Sequence, residues 1–376
     1  MSDRLRVLFA LPGLHRVNRG AEVALESIAA ELARMDGFEV TLMGSGQPRP
    51  GSPYRFVHVG DVAREHFEKW PSVPILRNEC AYEEMTFAPG LWCAYRPGDF
   101  DVTVTCGFPF CNWVLRRKPL VGRRPRHVYV TQNGDWPLYR KNAEYRWFGC
   151  DAAVCTNPDF YDAHKGAWPC RLIPNGVDCS VFHPGPSARE ELGLPSGTPL
   201  VLMTSALIDS KRVLEGIEAV ARVPNVGLVV AGDGPLRAEV EARGMTLMPG
   251  RFVRRTFARE QMPLLYRSAS VFLHMSLDES SANAYIEALA TGLPVVTHQR
   301  RVTEWTFGEQ AFLVNTTDFD AVAEALQQAR VGWNAERAMA SVTMAQDRYS
   351  WQGIARQYAD LLLELGTRAR EMSHAD

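Results

Sequence analysis

Residues 278–296 read DESSANAYIEALATGLPVV, and their local signals pass from the end of a strand through a turn to a helix and on to another strand. The preceding VFLH at 271–274 has the form of a short buried strand. Ser280 and Ser281 supply turn and cap hydroxyls, and 283–291 has the composition of a helix that Gly292 and Pro294 stop before a strand at 293–297. A strand, helix, strand unit implies a parallel sheet. A carboxylate at a strand's carboxyl end, followed by a helix N-terminus, is where such a sheet binds ligands, and the first helical amides suit an anion. Glu279 stands at that point and Glu287 follows eight residues later. The residues alone leave two readings open: a ligand-binding pair, or a loop carboxylate and the solvated face of a crossover helix.

The chain has 376 residues, more than one core comfortably serves, so two domains are expected; 46% hydrophobic and 22% charged residues make it globular. A formal net charge of −2 excludes a polyelectrolyte partner on overall balance, so no nucleic-acid partner is expected. One local exception is Arg116, Arg117, Lys118, Arg123, Arg124 and Arg126, six cations within eleven residues. They read either as a solvated loop or as a peripheral contact of 116–126 with anionic lipid or a charged acceptor. There is no basic start followed by a long apolar run and no stretch of about eighteen apolar residues, so a soluble, cytoplasmic protein is expected. Eight scattered cysteines form no C-x-x-C pair and have no histidines at zinc-ligand spacing, so free thiols are expected and no metal site.

The alternation of strand and helix runs along the whole chain. Strands are expected at 6–11, 38–43, 55–59, 101–105, 127–131 and 151–156, with helices from 20, at 62–70 and at 157–164. Ala21, Ala24, Leu25, Ile28, Ala29 and Leu32 define one buried helical face. Residues 71–97, rich in aromatics and prolines with poor periodicity, read as a loop-rich insertion. A linker at 184–199, with four prolines and three glycines, leads into a second set of strands at 200–204, 227–232, 271–274, 293–297 and 311–314. Helices are expected at 212–220, from 236, and at 319–329. Trp351, Ile354, Tyr358, Leu361, Leu362 and Leu365 form the stripe of a last amphipathic helix. G-x-G-x-x-G is absent after the first strand, and Gly232-Asp233-Gly234-Pro235 has Arg237 at the third glycine position, so neither turn is a dinucleotide site.

E-x7-E running into ALATGLPVV at 288–296, PNGVD at 174–178 with Phe182 and Pro184, VVAGDGPLR at 229–237, GAE at 20–22 and YSW at 349–351 occur in order over nearly the whole chain. This set resembles the retaining glycosyltransferases of family four, GT-B enzymes that move a sugar from a nucleotide diphosphate. The resemblance implies an α/β fold of two Rossmann-like, doubly wound domains facing across a cleft. Residues 1–175 would bind the acceptor, 176–350 the nucleotide sugar, and 351–376 would be a C-terminal helix packing back on the first domain. It implies transfer with retention to an acceptor hydroxyl on a small molecule, a saccharide or a lipid-linked glycan, with the nucleotide sugar as co-substrate and neither metal nor cofactor.

Residue by residue, the resemblance puts Lys211 on the phosphates and Gly20 beside the diphosphate. Backbone amides of Ser280, Ser281, Ala282 and Asn283 would face the donor, Glu279 its sugar and Glu287 the ribose, while 252–255 faces the base. The sequence also departs from the family. Gln132 and Asn133 stand where relatives carry a histidine facing the donor sugar, and an amide does not change charge near neutral pH. Ser205-Ala206-Leu207 replaces a turn that usually bears an arginine, Ser280-Ser281-Ala282 replaces a G-F-G, and Arg212 occupies a usual glycine. Arg212 is either a replacement phosphate ligand or a solvated helix residue, with Arg254 and Arg255 as further candidate cations. Two rivals stay open: another GT-B reaction such as nucleotide-sugar epimerisation, and a non-catalytic partner subunit.

Overall fold

The computed structural model describes residues 4–119, 121–139, 147–279 and 283–373, so Ser280, Ser281 and Ala282 lie outside the described residues. Backbone contacts divide the chain into two units, Met1–Asn175 with Trp351–Asp376, and Gly176–Ser350.

The first unit is built on a parallel sheet of β1 (Leu5–Ala10), β2 (Phe38–Gly44), β3 (Arg55–His58), β4 (Val102–Thr105), β5 (Arg126–Val130), β6 (Ala152–Cys155) and β7 (Cys170–Leu172), in the order β3-β2-β1-β4-β5-β6-β7. Its central strands are continuous apolar runs because both faces are covered. Along β1, Val7 and Phe9 enter one core with α1 (Gly20–Ala33) and α12 (Trp351–Ser373), whereas Leu8 and Ala10 enter another with α2 (Glu79–Ala94) and α3 (Phe110–Leu115). The stripe on α12 is buried as its spacing predicts, and Gly366 lets the helix close on the sheet, since a Cβ there would lie 2.4 Å from Leu5 Cδ1. Asn157 caps α4 (Pro158–His164), its side chain accepting the Phe160 amide at 2.9 Å.

The second unit repeats the plan with β8 (Leu200–Thr204), β9 (Gly227–Ala231), β10 (Phe252–Arg255), β11 (Val271–His274), β12 (Val295–His298) and β13 (Phe312–Val314), all parallel, in the order β10-β9-β8-β11-β12-β13. Val201 and Met203 of β8 face one core and Leu200 and Leu202 the other. Helices α5 (Val213–Ala221), α6 (Arg237–Leu247), α7 (Met262–Ser268), α8 (Asn283–Ala290), α9 (Arg301–Phe307), α10 (Phe319–Gly332) and α11 (Ala335–Tyr349) surround the sheet. PNGVD enters this unit beside the place where the chain leaves it. The Val177 amide donates to Tyr349 O at 2.7 Å, and Val177 bridges to Ser350.

Several sequence expectations need correction. Residues 71–97 are not loop-rich, for they contain the sixteen-residue helix α2, started by Asn78, whose side chain accepts the Ala81 amide at 3.0 Å. The helical period is obscured because Pro89 sits inside the helix and because two consecutive glutamates, Glu83 and Glu84, are buried where apolar residues are the norm. The helix expected at 62–70 is only a 3-10 turn at Arg64–Phe67, and 151–156 is not the last strand of its half, since β7 follows.

Each buried glutamate of α2 restrains a different loop. Glu83 takes ion pairs from Arg16 and, at 3.1 Å, from Arg19, both in the loop that follows β1. Glu84 accepts the amides of Phe108 at 2.9 Å and Cys111 at 3.3 Å, in the segment that follows β4. Burial pushes the Glu84 carboxyl up to about 7, against the pull of those amides. A raised acid holds a proton in the folded protein that the unfolded chain has lost, so stability falls as pH rises through the interval from the ordinary 4.5 to about 7. Glu84→Gln, which cannot ionise, should remove that part of the slope. The wild-type thermal midpoint should therefore drop more than the variant's between about pH 5 and about pH 8; parallel profiles would show that Glu84 titrates alike in both states.

Candidate active site

In the second unit the chain runs from β8 outward to β9 and β10, then returns to β11 on the other side of β8. The connections leaving the carboxyl ends of β8 and β11 therefore diverge, which opens the crevice where parallel sheets bind ligands. The connection after β8 lies against the Gly232–Pro235 turn. Leu207 N donates to Asp233 O at 2.9 Å and Leu236 N to Leu207 O at 3.1 Å. A Cβ on Gly232 would lie 1.9 Å from Ser205 O, and one on Gly234 2.6 Å from Leu207 O, so both glycines are required by close backbone approach.

This anchored connection ends in a 3-10 turn, Asp209–Lys211, that presents Lys211 to the loop after β11. Among the contacts that join the loops, the Ser276 hydroxyl donates to Ser210 O at 2.9 Å, and Lys211 Nζ pairs with Glu279 Oε2. The Lys211 side chain is 25% exposed and that of Glu279 11%, so the pair lies at the edge of solvent. An ammonium has three donor hydrogens, and Glu279 engages one face of it.

Behind Glu279 stands His274, the last residue of β11, its Nε2 3.7 Å from Glu279 Oε2. Its Nδ1 lies 3.1 Å from the Tyr285 hydroxyl, which is also 2.9 Å from Thr297 Oγ1. Burial, aided by the Lys211 charge, lowers the imidazole to about 3, so His274 is neutral at ordinary pH. Nε2 is the ring nitrogen nearer the carboxylate, at a distance longer than a hydrogen bond.

Glu287, on α8, has a different partner. The buried Tyr266 hydroxyl donates to Glu287 Oε2 at 2.9 Å and lies 3.1 Å from Thr204 Oγ1 at the end of β8. Burial raises the Glu287 carboxyl and the phenol's hydrogen bond opposes the rise. Asn283 is the first residue of α8. Sequence reasoning did not single out Tyr266 or His274; a polar residue closing a buried strand was the available signal for His274, and none marked Tyr266.

The other cations are engaged elsewhere. Arg212 adopts a left-handed backbone, φ 52°, a conformation that glycine takes at least cost. Its Nε pairs with Glu215 at 3.2 Å, and Nη1 reaches Thr316 O at 3.4 Å and Met275 O at 3.5 Å. Arg254 is nearly buried, paired with Asp233 at 2.8 Å and Glu241 at 3.4 Å, while Arg255 donates to Leu192 O and covers the Phe257 ring.

In the first unit the connections after β1 and β4 diverge in the same way. Gly20 opens α1, and a Cβ on Gly13 would lie 2.2 Å from Glu22 Oε1. Glu22 is buried, Arg19 lies 3.6 Å from its Oε1, and its Oε2 has no hydrogen-bond partner among the described residues. Gln132 and Asn175 exchange reciprocal amide hydrogen bonds, with Asn175 Nδ2 donating at 3.1 Å, and Asn133 Nδ2 lies 3.9 Å from Cys106 Sγ. Gln132 is thereby committed to the asparagine of PNGVD. Among the described residues no three His, Cys, Asp or Glu side chains cluster as a metal site would require, and no helix is long and apolar enough to cross a membrane.

Comparison with known proteins bears on this geometry. The family described as Glycosyltransferase Family 4 matches residues 18–181, and that described as Glycosyl transferases group 1 matches 198–330. The chain is 30% identical to a D-inositol 3-phosphate glycosyltransferase of Corynebacterium urealyticum over 61% of this chain and 59% of that protein. It is 30% identical to a lipopolysaccharide core biosynthesis glycosyltransferase of Rhizobium meliloti over 57% and 63%, and 27% identical to an alpha-monoglucosyldiacylglycerol synthase of Streptococcus pneumoniae over 39% and 37%. The match thus spans less than two thirds of each relative's length. In structure it superposes on a sucrose-phosphate synthase from Thermosynechococcus elongatus with a TM-score of 0.77 at 20% identity, covering 97% of this chain and 100% of that one. It also superposes on Anabaena HepE, solved with UDP and glucose, with a TM-score of 0.72 at 17% identity, covering 96% and 100%. Both share the GT-B fold of two doubly wound units.

The left-handed conformation of Arg212 makes a stability prediction. Arg212→Ala loses the guanidinium contacts and keeps a backbone conformation that costs an L-residue roughly 1 kcal/mol, whereas Arg212→Gly loses the contacts and is relieved of that cost. In urea unfolding the glycine variant should be the more stable of the two by about 1 kcal/mol. An alanine variant equal to or more stable than the glycine variant would contradict the left-handed assignment.

Proposed function

Starting from the fact that this chain belongs to the group 1 glycosyltransferases of family four, we propose that it moves a sugar from a nucleotide diphosphate to an acceptor hydroxyl with retention of configuration and without a metal ion. The observation that carries this reading is the Lys211–Glu279 pair at the divergence of the connections after β8 and β11. A nucleotide-sugar transferase must meet negative charge on its leaving diphosphate and polar hydroxyls on its sugar at adjacent points, and this pair supplies a cation and an anion side by side.

In the proposed reaction Lys211 uses its remaining N–H donors on the diphosphate, and the amides opening α8 add partial positive charge. Glu279, held by Lys211, accepts from hydroxyls of the donor sugar. Glu287, with Oε2 held by Tyr266, binds the ribose through its other oxygen. The bond between the anomeric carbon and the phosphate oxygen breaks as the acceptor oxygen bonds the same face of that carbon. The departing phosphate oxygen takes the acceptor's proton, leaving a nucleotide diphosphate and a glycoside. No group on the enzyme then needs to act as general base, which suits the neutral His274 beside Glu279. On the acceptor side, the unpartnered Glu22 Oε2 is an acceptor for a hydroxyl of a saccharide or lipid-linked glycan.

Turnover of a panel of UDP- and GDP-sugars, followed by release of nucleotide diphosphate, tests the proposal, and activity should persist in excess chelator. Loss in chelator with rescue by magnesium or manganese would contradict metal independence. Lys211→Ala should lower kcat/KM by about 2 to 4 kcal/mol, with kcat itself reduced, because the phosphate gains charge as it leaves; an unchanged kcat/KM would place the phosphates elsewhere. Glu287→Gln should weaken both free nucleotide diphosphate and nucleotide sugar, whereas Glu279→Gln should spare the free nucleotide. Equal effects of both on the free nucleotide would overturn the two assignments.

A further inference from the structure

Arg254 stands where the pattern of its strand calls for an apolar side chain. On β10, Phe252 packs against the core that holds Val230 and Val240, and Arg254, two residues on, lies on the same face and opposite Val230 in the register. Its side chain is 4% exposed, and its Nε has no hydrogen-bond partner among the described residues. Taking a guanidinium out of water with a donor unsatisfied is costly, and an apolar residue of similar volume would serve stability as well or better. Its ion pairs offset little of that cost, because Asp233, 2.8 Å away, is half exposed and Glu241, at 3.4 Å, is 37% exposed.

What the guanidinium does hold is the turn after β9. Arg254 Nη2 meets Asp233 Oδ1, the oxygen that also accepts the Gly234 amide at 2.9 Å, and the Thr256 hydroxyl lies 3.4 Å from Asp233 Oδ2. This turn grips Leu207 by both of its backbone groups, the amide donating to Asp233 O and the carbonyl accepting from Leu236 N, and Leu207 is fully buried. Lys211 follows four residues later, and the next buried anchor is Val213, which opens α5. Lys211 is therefore carried on a short span whose near end is set by the turn and, through Asp233, by Arg254. Displacing a group that contacts a reacting phosphate by about 1 Å costs on the order of a hundredfold in rate.

We propose that Arg254 is a positioning residue for Lys211: by holding Asp233 it fixes the turn against Leu207 and so sets where the connection after β8 presents the ammonium to the donor diphosphate. The inference rests on the role proposed above for Lys211. Arg254 touches no part of the donor and acts only through the lysine.

The test is calorimetric titration of the full chain with UDP, GDP, ADP and dTDP, the tightest binder being carried forward to Arg254→Met, Asp233→Asn, Lys211→Met and their pairwise combinations. Arg254→Met and Asp233→Asn should each weaken binding roughly tenfold, the two together should cost no more than one alone, and neither should weaken further a protein that already carries Lys211→Met. Contacts to the base and ribose are expected to keep Lys211→Met within the measurable range. Arg254→Lys, which keeps a cation for Asp233, should retain most of the affinity. Thermal midpoints should change little with Arg254→Met, and equally in both Lys211 backgrounds, whereas an arginine with a merely structural role would lower the midpoint and show no dependence on Lys211 in binding. Losses that add in the Lys211→Met background would overturn the proposal by showing that Arg254 acts on the ligand itself, as would wild-type affinity in Arg254→Met or Asp233→Asn. If Arg254→Met does not fold, Asp233→Asn, at a half-exposed residue, carries the same cycle. Failure of every nucleoside diphosphate to bind the wild type, or unchanged binding in Lys211→Met, would instead remove the assignment of Lys211 to the diphosphate, and the proposal with it.

Discussion

The constraint on which the rest of the structure depends is that two connections leaving a parallel sheet in opposite directions have to be held at a fixed separation. In the second unit the Lys211–Glu279 ion pair does this, assisted by Ser276 on Ser210 O. In the first unit the neighbouring glutamates of α2 do it from above, Glu83 holding the arginines after β1 and Glu84 the amides after β4. Desolvating a charge is expensive unless a partner repays it, so such contacts are better understood as fixing loop geometry than as net sources of stability. Removing one partner leaves the other poorly solvated, which makes each contact hard to vary alone.

The two glutamates that first drew attention in the sequence occupy distinct environments. Glu279 faces an ammonium and a neutral imidazole, whereas Glu287 faces a phenol in surroundings that raise its proton affinity. One residue type thereby serves two chemical tasks. The charge of the cationic side is concentrated in Lys211, because Arg212, Arg254 and Arg255 are directed to backbone carbonyls, carboxylates and an aromatic ring.

Much of the sheet architecture could be read in advance because a doubly covered parallel strand is an unbroken apolar run. Val271–His274 and Leu200–Thr204 have the expected limits, and most other strands differ by a residue or two. Helix α2 was hidden because its buried face carries carboxylates that answer to arginines and amides far away in sequence, and no local pattern records those partners. The short helices α3, α7 and α9 offer too few turns for a period to emerge. At the candidate site, Lys211, Glu279 and Glu287 could be placed because ordered motifs surround them. Tyr266 became visible only once α7 was packed against α8, and the left-handed Arg212 only as a departure from a glycine. The direction in which Arg212, Arg254 and Arg255 point depends on Thr316, Asp233 and Leu192, which lie far from them along the chain.

The central claim is that Lys211 and Glu279 work on the donor as one unit. A double-mutant cycle of Lys211→Met and Glu279→Gln, measured as kcat/KM for sugar transfer, tests it most directly. The account predicts that the two losses fall short of additivity by more than about 1 kcal/mol, since either substitution already disrupts the shared geometry. Additive losses, within about 0.5 kcal/mol, would show that the two side chains act independently and would contradict it.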